Sequence, residues 1–164
     1  MDKMLAPALR SMQNLRHLSL RTLHFALTAD PTCEAAVKGL TNLRSFKSAS
    51  CGLEGNSVMS RLIAILPPLR RLKWDQVGDV VYPEIHELVL RSRHILEHLD
   101  IDDLDMKAVF DTHLVHLRAE GAKVQPDIVF PCLRVMNVDT TDLGSLDGRS
   151  FPALEWLGAA HIRD

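Results

Sequence analysis

The chain has 164 residues, of which 46% are hydrophobic and 24% are charged, and its formal net charge at pH 7 is −2. This composition excludes an intrinsically disordered chain, and no apolar run approaches the roughly 18–20 residues that a transmembrane helix needs. We therefore expect one folded domain over residues 1–164, with no membrane association.

Charge is distributed unevenly along the chain. Residues 1–80 hold 11 Lys and Arg against 6 Asp and Glu, which gives +5, whereas residues 81–164 hold 8 against 15, which gives −7. This asymmetry bears on the steering of partners rather than on the fold. The three cysteines include no C-x-x-C pair, which favours an intracellular location, cytoplasmic or nuclear, over a disulfide-bonded secreted protein.

One pattern recurs along the chain: a leucine, two variable residues, an apolar residue, one variable residue, and an apolar or small residue. It appears in NLRHLSL, NLRSFKS, PLRRLKW, ILEHLDI and CLRVMNV, and a weaker copy lies near the end. The separations between the first leucines are 28, 26, 27, 37 and 21 residues, most of them within the roughly 20–29 of leucine-rich repeats. The first leucines are Leu15, Leu43, Leu69, Leu96, Leu133 and Leu154.

The last two apolar positions of the pattern are two residues apart, which is the period of a β-strand. We expect both side chains to point into a core and stack on their equivalents in the next repeat, while the residues between them face solvent. The pattern predicts strands near residues 17–20, 45–48, 71–74, 98–101 and 135–138.

The segments between the strands show helix signals. Asp30 followed by Pro31 predicts a helix start, and Gly39 predicts the end of that helix. A second helix stops at Pro67, and Pro83 opens a third.

A fourth and longest helix is predicted to begin near Met106 and to end before Gly121, because residues such as Val109, Leu114 and Leu117 keep helical spacing. On this interpretation the 37-residue interval is one repeat with a long crossover, and the chain is a single domain of about six divergent repeats.

The pattern resembles leucine-rich-repeat proteins, which implies an α/β solenoid with a curved parallel sheet on one face and helices and loops on the other. FPCLRVMNV, FPALEWL and ILEHLDI, with the irregular intervals, are similar to the divergent repeats of fungal F-box proteins. In that family the repeats recruit a substrate, and a separate F-box docks the chain onto a ubiquitin ligase. Neither an F-box nor a polar capping repeat is visible in this sequence, so we expect a fragment that lacks caps.

The resemblance implies a protein–protein interaction module, with another protein as the partner and ligase subunits as further partners if an F-box exists in the full-length chain. The alternative is a leucine-rich-repeat scaffold, or a regulator or inhibitor of an enzyme, without any ligase connection. An F-box in the full-length protein distinguishes the two hypotheses.

The segment from His94 to His98 reads H-x-x-E-H, the inverted zinc-protease signature. On a helix, His94 and His98 would share a face and bind zinc, with Glu97 as the general base. Leu96 and Leu99 are repeat leucines, however, so we expect a strand to begin there, and a strand does not place the histidines in that way. We predict no metal, no cofactor and no enzymatic activity.

Two charge clusters have simpler interpretations as solvated surface. The aspartates of residues 100–105 lack the glycine and the bidentate glutamate of a calcium loop. The basic cluster of residues 70–73 is short, and its one aromatic neighbour, Trp74, occupies an inward position, so we predict no nucleic-acid binding.

The outward strand positions are the candidate protein-binding surface. This row runs from basic to acidic along the chain, which fits either ordinary surface charge or a concave face that reads a partner of opposite polarity. Trp156 is the large aromatic residue of the row and its hot-spot candidate, unless it packs against a further repeat. The candidate residues are His17, Ser19, Arg21, Ser45, Lys47, Arg71, Lys73, Asp75, His98, Asp100, Asp102, Asn137, Asp139 and Trp156.

Overall fold

The structure, a computed structural model, describes residues 5–21, 27–51, 56–76, 83–102, 113–120, 129–139 and 151–159. The helices with both ends described are α1 (Leu5–Ser11), α2 (Thr32–Lys38), α3 (Asn56–Ile65) and α4 (Pro83–Ser92). The strands are β1 (His17–Arg21), β2 (Ser45–Cys51), β3 (Arg71–Gln76), β4 (His98–Asp102), β5 (His116–Glu120), β6 (Val135–Asp139) and β7 (Trp156–Ala159). None of the helices in these ranges has the length and apolar character to cross a membrane.

The seven described strands form one sheet in the order β1 to β7, and each neighbouring pair is parallel. The sheet is open, with β1 and β7 at its two edges. The α/β class, the single parallel sheet and the five strand positions predicted from the repeats are therefore confirmed.

A repeated backbone hydrogen bond fixes where each strand enters the sheet. The carbonyl oxygen of Arg16, just before β1, accepts the N–H groups of Arg44 and Ser45 at 2.8 and 2.9 Å. The same arrangement recurs at all six junctions between neighbouring described strands, so each strand starts at the same level. The accepting carbonyls belong to Arg16, Arg44, Arg70, Glu97, Val115 and Arg134.

Alternate strand residues point into a core that is shared with the helices. Leu99 and Ile101 of β4 are buried, as is Leu72 at the matching position of β3. Helix α4 contributes Leu88 and Val89 to the same core. The other residues of each strand lie on the opposite side of the sheet, as the pattern predicts.

Polar side chains connect successive repeats behind the sheet. Arg91 of α4 donates hydrogen bonds to the carbonyl oxygens of Ile63 and Ala64 at 3.1 and 3.0 Å, which occupies acceptors at the end of α3. The buried hydroxyl of Ser92 accepts the N–H of Leu69 at 2.9 Å and donates back to its own helix. These bonds pair polar groups that burial would otherwise leave unsatisfied.

The helix boundaries predicted at Asp30, Gly39 and Pro83 are confirmed. The carboxylate of Asp30 accepts the N–H of Thr32 at 2.9 Å, and Pro31 has helical dihedral angles. Helix α2 ends directly before Gly39, and Pro83 is the first residue of α4.

The predicted fourth helix is wrong over the residues that the structure describes. Residues 116–120 form β5, which lies between β4 and β6 and is parallel to both. Leu114, Leu117 and Ala119 are buried. The three-residue spacing of the leucines fits both a helix and the repeat pattern, and the polar–apolar alternation over 116–120 is the strand signal that decides. The earlier part of the predicted helix, from Met106, lies outside the described residues.

The 37-residue interval consequently contains an additional repeat. Leu114 divides it into separations of 18 and 19 residues, shorter than the 26–28 residues of the first three intervals. The described residues thus carry seven copies of the pattern, each with its strand.

Replacement of Leu117 by alanine should lower the free energy of unfolding by about 2–5 kcal/mol, because it empties a buried site next to Leu99 and Met136. Chemical denaturation followed by circular dichroism measures this loss. Leu157→Ala is the matched control, since Leu157 holds the same position on β7 but is 44% exposed and should cost less than about 1 kcal/mol. Equal losses in the two variants would show that β5 does not pack into the core.

Candidate functional site

The side of the sheet opposite the core, the open face, carries three rows of residues set by the strand register. The first row is His17, Ser45, Arg71, His98, His116, Val135 and Trp156. The second row is Ser19, Lys47, Lys73, Asp100, Arg118, Asn137 and Gly158. The third row is Arg21, Ala49 and Asp75 on β1 to β3, and Asp102, Glu120 and Asp139 on β4 to β6.

All the candidate residues named from the sequence lie at strand positions in these rows. Where their side chains are described, they are exposed or half-buried, as expected for the open face. The side chains of Asp102 and Asp139 lie outside the described part of the structure. The sequence interpretation missed His116 and Arg118, because it placed them in a helix; the repeat at Leu114 was the signal that would have found them.

A concavity of about 450 Å³ lies on the open face and extends from β2 to β7. Residues of the first two rows line it, among them Arg71, His116 and Trp156. Each strand from β2 to β7 contributes to its wall, so the site is built by the register of the whole sheet rather than by one loop.

Opposite charges pair in the middle of the second row. Asp100 on β4 accepts a hydrogen bond from Lys73 on β3, and Nη1 of Arg118 on β5 donates to it at 3.0 Å. Lys73 also lies 3.2 Å from a carboxylate oxygen of Asp75. The hydrogen bond to Asp100 raises the pKa of Lys73 above its ordinary value despite partial burial. The charges at the centre of the open face are therefore compensated by ion pairs between neighbouring side chains of the sheet.

The predicted change from basic to acidic along the strands is interrupted by this pairing. Arg118 stands between Asp100 and Asn137 in the second row, so a cation follows the first acidic strand. Among the described residues, no carboxylate lies within ion-pair distance of Lys47 or Arg71. Uncompensated positive charge on the open face thus lies on β2 and β3, at Lys47 and Arg71.

Two histidines stack at the centre of the first row. The imidazole rings of His98 and His116 have centroids 4.4 Å apart and an angle of 10° between their planes. Burial lowers the pKa of His98 below its ordinary value of 6.5, and the neighbouring His116 and Arg71 lower it further. His98 is therefore neutral at pH 7 and contributes a flat aromatic surface to the concavity.

Trp156 lies on the open face, as predicted. Its side chain is 51% exposed, and a Cβ atom placed on Gly158 would overlap the indole ring. The ring therefore lies along the sheet above Gly158, which lacks the atom that would displace it. This arrangement leaves a large aromatic surface in contact with solvent at one end of the concavity.

The H-x-x-E-H segment does not form a helix. Helix α4 ends at Ser92, residues 93–95 form a turn, and β4 begins at His98, which confirms the predicted strand start. Glu97 forms an ion pair with Arg70, and this hydrogen bond lowers the pKa of Glu97. Over the described ranges, no group of three His, Cys, Asp or Glu side chains is placed to hold a metal ion.

Acidification should destabilise the protein in part through His98. Because its pKa is lowered in the folded state, the unfolded chain takes up the proton first, so stability falls as the pH drops below 6.5 towards the folded-state pKa. Urea denaturation between about pH 7.5 and about pH 5 should show a smaller loss for His98→Gln than for the unmodified chain. His17→Gln, at the exposed end of the same row, is the control; a pH dependence unaltered in His98→Gln would contradict the expectation.

The Lys73–Asp100 pair should show measurable coupling. A double-mutant cycle with Lys73→Met and Asp100→Asn should give about 1 kcal/mol, because the carboxylate is only 25% exposed and is held from both sides. The pair of Arg61 and Glu34 is the control, since Arg61 is 60% exposed and the atoms are 3.3 Å apart, and its coupling should be about 0.3 kcal/mol. A coupling energy no larger than that of the control would mean that the Lys73–Asp100 pair is no stronger than an ordinary surface ion pair.

No family model, curated protein or solved structure matches the chain. The resemblance to leucine-rich repeats and to F-box proteins therefore stays a prediction from the residues. The structure by itself establishes an α/β fold with one open, parallel sheet whose outward face is continuous.

Proposed function

We propose that the chain is a leucine-rich-repeat solenoid that binds a segment of another protein along its open face, and that it is not an enzyme. The observation that carries this proposal is the concavity lined by six successive strands. A surface to which every repeat contributes similar side chains suits recognition of an extended chain.

The dimensions of the sheet support an extended partner. Seven parallel strands about 4.8 Å apart span about 29 Å from the first strand to the last. At about 3.3 Å per residue, a segment of roughly nine residues crosses the whole face. An extended peptide therefore reaches both the basic strands and Trp156.

The side chains along this path provide affinity at one end and steering at the other. Trp156 offers exposed aromatic area, the type of surface that often contributes most to binding. Lys47 and Arg71 provide positive charge without a carboxylate partner among the described residues, which attracts an acidic segment over distance.

A narrower proposal follows from the resemblance alone. The similarity of FPCLRVMNV, FPALEWL and ILEHLDI to F-box repeats supports a substrate-recognition region of a ubiquitin ligase adaptor. Affinity capture followed by mass spectrometry tests it, because ligase subunits would be recovered with the full-length protein. Capture of a partner without any ligase subunit would favour a scaffold or a regulator of an enzyme.

Binding to an identified partner should depend on the open face. Lys47→Glu should lower the association rate by about tenfold at low salt, and the effect should decrease at high salt as screening increases. Trp156→Ala should weaken the affinity by about tenfold or more, mainly through faster dissociation. Surface plasmon resonance at two salt concentrations measures both rates.

Each variant has a control elsewhere on the chain. Lys38→Glu makes the same charge change at an exposed position on α2, and Leu157→Ala truncates an exposed apolar side chain on the strand of Trp156. Both controls should bind as the unmodified chain does, with melting temperatures recorded for every variant. Loss of affinity in Lys38→Glu, together with full affinity in Lys47→Glu and Trp156→Ala, would move the binding site to the helical side and contradict the proposal.

A further inference from the structure

Three arginines stand side by side at the edge of the sheet where the strands begin. Each directly follows the first leucine of a repeat, in NLR, NLR and PLR, and their backbone carbonyls accept the paired hydrogen bonds that start the next strand. The backbone at this position is therefore fixed, and one side chain is presented by each repeat. We call Arg16, Arg44 and Arg70 the arginine column.

The column borders two adjoining cavities. One, of about 280 Å³, is lined by the three arginines with Asn14 and Asn42. The other, of about 370 Å³, is lined by the same arginines together with residues that include Arg71 and Glu97. Since neighbouring strands are about 4.8 Å apart, the column is about 10 Å wide, and its guanidinium groups reach a common volume.

Counter-charge is lacking along most of this column. Arg70 forms an ion pair with Glu97, which holds Arg70 in place at the edge of the group. Within the described residues, no carboxylate lies within ion-pair distance of Arg16 or Arg44, and both are exposed. Like charges on neighbouring strands repel each other, so an anion bound between these guanidinium groups would lower their electrostatic energy.

We propose that Arg16, Arg44 and Arg70 bind a phosphate group carried by a serine or threonine of the partner protein. A carboxylate has one charge and two oxygens, whereas a phosphomonoester carries roughly −1.5 to −2 charges at pH 7 and three terminal oxygens. It therefore matches three guanidinium groups better than a carboxylate does. The amide of Asn42, held by a 3.2 Å hydrogen bond to the carbonyl of Gln13, lines the same cavity.

A single anionic group fits this edge better than a polyanion does. The positive column ends after three strands, because the next two residues at the same position are Glu97 and Val115. A nucleic acid that continued along this edge would meet the carboxylate of Glu97, whereas one phosphate on an extended peptide would not.

This inference rests on the proposed function, since it describes the chemistry of the same partner segment. The arginine column adjoins the first row at His17, Ser45 and Arg71, so a peptide that crosses the open face passes beside it. Its residues are separate from Lys47 and Trp156, which allows the two proposals to be tested independently.

Titration of the full chain with inorganic phosphate, followed by NMR of the arginine Nε–Hε signals, tests the site itself. The three signals of the column should shift along one saturating curve, and acetate should bind at least about tenfold more weakly. Arg134 holds the same repeat position, but Glu155 accepts hydrogen bonds from its Nε as well as its Nη2, whereas the contact of Glu97 is with Nη2 of Arg70. The Nε–Hε signal of Arg134 should therefore not move. Shifts that do not saturate, or that are equal at Arg134, would overturn the site.

Variants of Arg44 test whether its guanidinium group binds the phosphate. Arg44→Gln should weaken phosphate binding at least about tenfold, and Arg44→Lys should give an intermediate loss because it keeps the charge but removes the planar pair of donors. Arg134→Gln is the control and should bind phosphate as the unmodified chain does. Melting temperatures separate loss of the site from loss of the fold, and unchanged phosphate binding in folded Arg44→Gln would refute the assignment.

The affinity of the captured partner, measured with and without phosphatase treatment, tests whether the bound anion is a phosphate group of that partner. The phosphorylated form should bind at least about tenfold more tightly, and Arg44→Gln should remove this preference.

Three other outcomes separate the two proposals. Equal binding of both forms, with Lys47→Glu still lowering the association rate, would reject this inference and leave the proposed function intact. A phosphate preference with no effect of the open-face variants would reject the proposed function instead. Tighter binding of a single-stranded oligonucleotide than of the phosphorylated partner would assign the column to nucleic acid.

Discussion

The stacking of each inward side chain on its equivalent in the next strand is the interaction on which the rest of the structure depends. Leu72 of β3 lies in register with Phe46 of β2 and Leu99 of β4, and all three are buried. A strand that slipped by one residue would expose its apolar side chains and bury its polar ones. The packing of the core therefore decides which residues form the open face.

The residue at a given core position differs in size from strand to strand, and large and small residues compensate for each other across neighbouring strands. Trp74 on β3 lies in register with the buried Ser48 on β2, and the indole is also near the ring of Phe46, with centroids 6.3 Å apart. A bulky residue beside a small one keeps the total volume constant, which close packing requires. The last position of the pattern can thus depart from leucine without loss of the stack, as Ala119 also shows.

The same pattern explains what could and could not be predicted from the sequence. Five strands were found because their residues kept the full spacing of the pattern, and β5 was missed because Leu114 and Leu117 also continue the helical spacing of the residues before them. The positions of the candidate residues followed from the register, but their pairing did not. That Asp100 is neutralised required knowledge of both neighbouring strands, one of which, carrying Arg118, had not been predicted.

Charge on this sheet is useful for binding only where the neighbouring strand does not supply a counter-ion. Asp100 has a cation on each side, so a partner that approached it would have to replace bonds that already exist. At Arg16, Arg44 and Lys47 no such bond is present among the described residues, and an approaching anion gains the full interaction. Opposite net charges in the two halves of the chain therefore do not identify the side chains that are free to attract a partner. The relevant quantity is the charge that remains after pairing between strands, and it is concentrated on the first repeats.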